Sequence, residues 1–418
     1  MDRAAVDAAQ QLQRRGLRQL IAGHVGGLPQ PFWWLWLGVL VNRAGTFIEP
    51  FFILYLTGPR HVSVQTTGLV LTAWGFGSLI SQPIGGVLTD RFGRRATLGA
   101  SLAATAATLL ALGAARDLAL IAVLAFVLGT VADMYRPAST AAIADLIDEA
   151  DRPRAYALQF WAINLGFSVA SVSAGLLLHI GFGVLFVLDA ITTLVFGLLA
   201  LRFVPETKPE TDDPPARMLD PIRLFRSDRL LLVATVIVLV YAVLYIQANV
   251  TLPLAVTSTG LHASVYGYVI AINGILIVVA QPFTIRLIAR WPQRTVLPIS
   301  LALVGVGMAA TGLSHSTWQF AVTVVMWTVG EIGTAGSFQA LIAALAPAGM
   351  RGRYAGALGL AWGAADLIAP ILGAASFAHA RTALWLGCLV AGVAAGAGQY
   401  WLLGQVERRR ATTLAPAL

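Results

Sequence analysis

Twelve stretches of roughly twenty predominantly apolar residues follow one another along the chain, and each is long enough as a helix to cross a bilayer's hydrocarbon core. Their limits are about 33–56, 67–88, 96–114, 118–144, 155–178, 181–203, 229–250, 264–288, 295–313, 318–345, 354–378 and 381–405. Backbone groups in lipid must be satisfied inside the protein, so runs of this length fold as helices. The predicted class is an all-α membrane protein with 12 transmembrane helices. Composition agrees: of 418 residues 57% are hydrophobic and 11% charged, whereas a soluble domain is about 25% charged. The 41 Gly and 19 Pro are scattered through the apolar runs, as membrane spans tolerate. A soluble enzyme, a disordered chain and a fibrous fold are excluded. The single Cys388 excludes an intrachain disulfide and a cysteine-based metal cluster, and no metal or cofactor is expected.

An even number of spans puts both termini on one face. Of the 28 basic residues, 23 fall on that face, in residues 1–31, in the loops at 89–95, 145–154, 202–229, 286–294 and 351–353, and in the tail. Arg60, Arg116 and Arg381 fall on the other face, and Arg43 and Arg136 within spans. Short cytoplasmic loops retain Arg and Lys, so both termini are expected to be cytoplasmic in a multi-pass protein of the cell membrane. The net charge of +8 then reports topology, and no nucleic-acid partner is expected. Residues 1–31 lack the pattern of a cleaved signal peptide; Val6, Ala9, Leu17, Leu20 and Ile21 can form one face of a surface helix, or the segment can be an open tail. The Pro-rich stretch 204–228 divides bundles at 32–203 and 229–405, and residues 406–418 form a tail.

The two halves are copies. At one offset of 199 residues, Gly68 meets Gly267, Trp74-Gly75 meets Asn273-Gly274, Gln82-Pro83 meets Gln281-Pro282, and Arg152 and Arg154 meet Arg351 and Arg353. At the same offset Ala170-Ser171 and Ala174-Gly175 fall on Ala369-Pro370 and Gly373-Ala374. Parallel six-span repeats around a midplane site are the architecture of an alternating-access carrier.

Between the second and third spans stands Gly86-Val-Leu-Thr-Asp90-Arg91-Phe-Gly93-Arg94-Arg95. It resembles the G-x-L-x-D-R-x-G-R-R/K signature of the major facilitator superfamily at every defining position, and the duplicated twelve-span plan extends the resemblance over essentially the whole chain. The resemblance implies two pseudo-symmetric six-helix bundles and a latch for the outward-facing state, with Asp90 against the start of the eleventh span near Tyr354 and Arg94 against Asp145. Topology alone also accounts for the arginines. In the second half Asp90 becomes Ala289 and Gly93 becomes Pro292, leaving Arg290 and Arg294 without the acid.

In the fifth span Gly166, Ala170, Ser171, Ala174 and Gly175 resemble the family's antiporter motif, although Ser171 stands at its proline and two glycines are alanine. Close helix packing explains small residues as well. The membrane-embedded Arg typical of the drug:proton antiporter branch has no counterpart in Leu120–Leu128, where every residue is apolar. The remaining order of Gly129, Asp133, Arg136-Pro137 and Asp145 is similar to that branch.

Charges inside spans cost at least about 2.5–3.5 kcal/mol on insertion scales and mark functional candidates. They are Arg43, Glu49, Asp133, Arg136, Asp189, Glu331 and Asp366. The resemblance places spans 1, 4, 7 and 10 around the central cavity, and with them Glu49, Arg43, Asp133, Arg136 and Glu331. Glu49 is the first candidate for a proton-coupling acid, followed by Asp133 and Glu331; each also has a structural alternative as a bonded or paired carboxylate. Asn42 and Glu49 share a helix face, whereas Arg43 and Glu49, six apart, point roughly 120° apart on a continuous helix, so a pair between them is not expected. Asp133 and Arg136, three apart, can pair. Asp189 and Asp366 fall on spans expected to be peripheral. His179 and His379 sit at the outer membrane edge, suited to interfacial hydrogen bonding.

Trp74, Trp327 and Trp362 inside spans can stack on a planar or cationic substrate or simply pack. Tyr241, Tyr245, Gln247 and Asn273 add polar groups. A pocket of aromatics with one or two acids suits amphipathic or cationic small molecules. No phosphate loop of the G-x-x-x-x-G-K-[ST] type occurs, so energy is expected from protons and no enzymatic chemistry is implied. The reading favoured is a monomeric proton-coupled exporter of drug-like molecules. The alternatives are a proton symporter for a peptide or organic acid and a non-transporting membrane sensor.

Overall fold

The computed structural model describes residues 27–148, 151–208, 225–226, 228–288, 291–334 and 351–414, together with Phe338, Leu341 and Leu345. The expected surface helix at the N-terminus, most of the central linker and Arg290 lie outside the described residues.

The chain forms helices α1 (Gln30–Ala44), α2 (Ile48–Thr57), α3 (Val64–Phe92), α4 (Arg94–Ala114), α5 (Leu118–Ala132), α6 (Tyr135–Leu146) and α7 (Arg152–Leu177). These are followed by α8 (Phe182–Phe203), α9 (Arg229–Ser258), α10 (Ala263–Ile288), α11 (Gln293–Ala310), α12 (Thr317–Thr334), α13 (Arg351–His379) and α14 (Arg381–Leu414). There is no strand among the described residues. Among the described residues, ten helical stretches are long and apolar enough to cross a membrane. The two remaining spans are α3, whose apolar run is diluted by Thr, Ser, Gln and Gly, and α12, described only as far as Thr334. The sequence pattern is realised as two six-span bundles of the major facilitator fold.

Two expected spans are broken. The first is divided into α1 and α2 at Gly45–Phe47, and the fourth into α5 and α6 at Asp133–Met134. Span length alone does not show such breaks: each falls in a short polar interval, with Asn42, Arg43, Thr46 and Glu49 around the first and Asp133 and Arg136 around the second, inside a run otherwise apolar enough to count as one span.

The duplicated residues meet across the two halves. A Cβ on Gly68 of α3 would press on Ala374 and Pro370 of α13, and a Cβ on Gly267 of α10 would press on Ser171 and Gly175 of α7. These are equivalent contacts in the two copies, and small residues permit both approaches. Further along, Gly75 lies against the Asp366 backbone and Gly274 against Ser168. Near the face opposite the termini, Phe51 packs edge-on to Tyr266 with centroids 5.1 Å apart, His179 stacks on His262 at 5.2 Å, and Gln65 meets His379. Toward the basic face, Asp90 and Phe92 are exposed, and a Cβ on Gly86 would meet nothing within 4 Å. Among the described residues the halves are closed on the far face and parted on the basic one.

Candidate functional site

The N-terminal bundle gathers most of the intramembrane charge around the break in its first span. Arg43, at the end of α1 and 9% exposed, donates from Nη2 to the Tyr135 hydroxyl at 2.7 Å. Its guanidinium lies 3.7 Å from Glu49 Oε2 and 3.9 Å from Asp133 Oδ1. Arg136 Nε donates to Asp133 Oδ1 at 2.6 Å, the three-residue pair the sequence allows. The Arg43–Glu49 approach corrects the expectation that these residues point apart. That expectation assumed a continuous helix, and the chain unwinds between them. Asp189 corrects a second one: it is not peripheral. Its Oδ2 accepts from the amides of Phe47 at 3.1 Å and Ile48 at 3.2 Å, capping α2.

A cavity of about 50 Å³ opens beside these groups, lined by Asn42, Arg43, Glu49, Trp74, Asp133 and Asp189 among others. Asn42 Nδ2 donates to Thr193 Oγ1 at 3.0 Å, and Arg43 Nε is buried without a partner. Gly166 of the antiporter-like motif backs this cluster, because a Cβ there would press on Arg43 and Ala44. Its other end, Ser171 and Gly175, packs on α10 as described. Ala170 and Ala174 are fully buried.

The C-terminal bundle is built differently. Glu331 Oε2 accepts from Asn273 Nδ2 at 2.6 Å, and Asn273 also reaches Thr328 at 3.0 Å. No cation lies within ion-pairing distance of Glu331 among the described residues. Aromatic rings form a continuous set nearby: Tyr245 meets Trp362 at 5.6 Å and Trp327 at 6.4 Å, and Tyr241 meets Trp362 at 6.0 Å. Thr334, one turn from Glu331, donates to the Tyr241 hydroxyl at 3.3 Å. Trp327 Nε1 is buried without an acceptor. Gln247 turns away from this set and donates to Ala369 O at 3.3 Å.

On the basic face Arg94 Nε donates to Asp145 Oδ2 at 2.8 Å, the pairing the signature implies. Asp90 is exposed, and Tyr354, near its implied partner, donates instead to Asp228 at 2.8 Å. Of the two contacts the signature implies, Arg94 with Asp145 is made, and among the described residues Asp90 has no partner. Arg91 and Arg95 are exposed, and the Arg91 carbonyl accepts from Lys208 at 3.0 Å. Gly93 has φ +94°, and a Cβ there would overlap Glu206. The sequence reading missed Glu206, whose carboxylate accepts from the amides of Arg94 at 2.8 Å and Arg95 at 3.1 Å. Partial burial opposes its ionisation, but amides from Arg94, Lys208, Arg95 and Thr207 hold the carboxyl below its ordinary range. Arg294, expected to lack an acid, lies 3.4 Å from Glu407 of α14 and over the Tyr400 ring.

Residues 35–262 and 236–417 each match the family model of the Major Facilitator Superfamily. The chain belongs to that superfamily. Its relatives include the Na(+), Li(+), K(+)/H(+) antiporter of Planococcus maritimus, 25% identical over 364 residues that cover 79% of this chain and 85% of the relative. The class C tetracycline resistance protein of Escherichia coli is 25% identical over 335 residues, 77% of this chain and 82% of the relative. Among solved structures, a POT family transporter in complex with a thioalcohol-conjugated peptide superposes with a TM-score of 0.79 at 13% identity, covering 91% of this chain and 98% of that one. This last likeness concerns the fold. The superfamily chain is a secondary transporter with a small-molecule substrate.

Proposed function

We propose that this transporter exports amphipathic or cationic small molecules in exchange for protons, by alternating access, from a cell membrane in which both termini are cytoplasmic. The observation that carries the reading is Glu331: an intramembrane carboxylate with an amide partner, no paired cation among the described residues, and Tyr241, Tyr245, Trp327 and Trp362 close by. An aromatic set with one unpaired acid attracts a lipophilic cation through ring faces and charge together. A proton and such a substrate would compete for the same carboxylate, which is antiport at one site. Glu49 and Asp133, already beside Arg43 and Arg136, form a second station, where adding a proton to either acid weakens its hold on Arg43. A relative named as a cation/H(+) antiporter supports exchange for protons, and one named as a tetracycline resistance protein supports a drug-like substrate. A peptide or organic-acid symporter remains the competing reading.

Flux in proteoliposomes with an imposed pH gradient tests the direction, using ethidium, a dipeptide and an organic acid as probes. Export coupled to protons predicts that ethidium moves against the proton gradient. Accumulation of peptide or acid along the proton gradient, with no response from ethidium, would replace export by symport.

A further inference from the structure

The break in the first span is held from outside, by one face of α8. On the α2 side, Asp189 is 5% exposed and its Oδ2 accepts from both Phe47 N and Ile48 N. On the α1 side, Thr193, four residues further along the same helix face, accepts from Asn42. Between them Thr192 lies so close to Gly45 that a Cβ at Gly45 would overlap it. The first amides of a helix have no partner within it, and leaving them bare inside a membrane protein is costly. Phe47 N also donates to Gly45 O at 2.8 Å, so among the described residues it is Ile48 N, the first amide of α2, that relies on Asp189 alone, and with it the turn that brings Glu49 to 3.7 Å from Arg43.

The second copy of the repeat supplies an independent observation. At the equivalent positions Arg43 becomes Ala242, Glu49 becomes Ala248, Asp189 becomes Cys388 and Thr193 becomes Gly392. There the equivalent helix α9 runs unbroken from Arg229 to Ser258. Where the charged pair is absent, the clamp and the break are absent too.

We infer that Asp189 is a positioning residue: by capping α2 it holds the break that sets Glu49 against Arg43. The inference rests on the proposed transport role only for its importance to the cycle; the geometry can be tested without substrate or gradient. The test is a double-mutant cycle of Arg43→Gln and Glu49→Gln on unfolding of the full chain in detergent micelles, in wild-type, Asp189→Asn and Asp189→Ala backgrounds. Asparagine keeps an acceptor for both amides and caps helices as well as aspartate. The two substitutions should be non-additive, by about threefold in the unfolding constant, in the wild type and in Asp189→Asn. They should become additive in Asp189→Ala. A merely structural Asp189 would lower stability without changing the coupling, so persistent non-additivity in Asp189→Ala overturns the inference. Loss of coupling in Asp189→Asn, a variant close in shape to the wild type, also overturns it, since charge and not capping would then be the cause.

Discussion

The two bundles share one helical plan and part company in their chemistry. The first surrounds a broken span with charge: Arg43 reaches Glu49 and Asp133, Arg136 pairs with Asp133, and Asp189 holds the amides at the break. The second keeps its equivalent span whole and places Glu331 among aromatic rings. On the basic face the contrast recurs. In the first half Arg94 pairs with Asp145 and Glu206 caps α4, whereas in the second Arg294 meets an exposed Glu407 and the Tyr400 ring. Duplication gave both halves the packing, including the reciprocal contacts of Gly68 and Gly267, and divergence put the ion-paired cluster in one half and, among the described residues, an acid without a cation in the other. A carrier built in this way can place its conformational control in one half and its exchange site in the other.

Four substitutions break or sharpen that contrast, in decreasing order of effect. Asp90→Asn removes the acid that the outward-facing latch requires and should reduce transport about tenfold or more, with insertion and expression unchanged; flux per inserted molecule measures it, and the loss of one charged hydrogen bond is of that size. Gly93→Ala should destabilise the protein by about 1–3 kcal/mol, because the residue needs φ +94° and its new methyl meets Glu206. Thermal unfolding in micelles reads the change.

Glu206→Ala should cost about 1 kcal/mol through loss of the α4 cap. The folded-state carboxyl titrates below its unfolded value. Its contribution is therefore fully present above the unfolded value of about 4.3 and is lost as pH falls through the lower folded value. The difference between wild type and Glu206→Ala should shrink accordingly in acid. Arg294→Gln, in the half without a latch, should change stability by only a few tenths of a kcal/mol, since exposed pairs contribute little.

Much of this was legible in the sequence. Span lengths and the shared offset of Gly68 with Gly267 gave the plan of two duplicated bundles; that these glycines lie where the halves meet is what the structure adds. Asp133 with Arg136 and Arg94 with Asp145 pair as spacing and motif implied. Chain breaks were not legible from span length, because the polar interval from Asn42 to Glu49 is short within an otherwise apolar run and Gly45 occurs in a chain with many glycines. The error about Arg43 and Glu49, and the dismissal of Asp189, both follow from that one hidden break. Glu206 and Asp228 were overlooked for a different reason. Each is an acid at the edge of a span whose partners come from distant parts of the chain: Glu206 caps α4, and Asp228 caps α9 while accepting from Tyr354 and Arg409. A search for Asp or Glu immediately before or after each apolar run would have found them.

The central claim is that proton and substrate exchange at Glu331 in the aromatic half. It is tested most directly by proton release on ethidium binding to the purified protein in weakly buffered micelles, followed with a pH indicator. The account predicts a proton released by the wild type and by Glu49→Gln, and none by Glu331→Gln. Undiminished release from Glu331→Gln would contradict it.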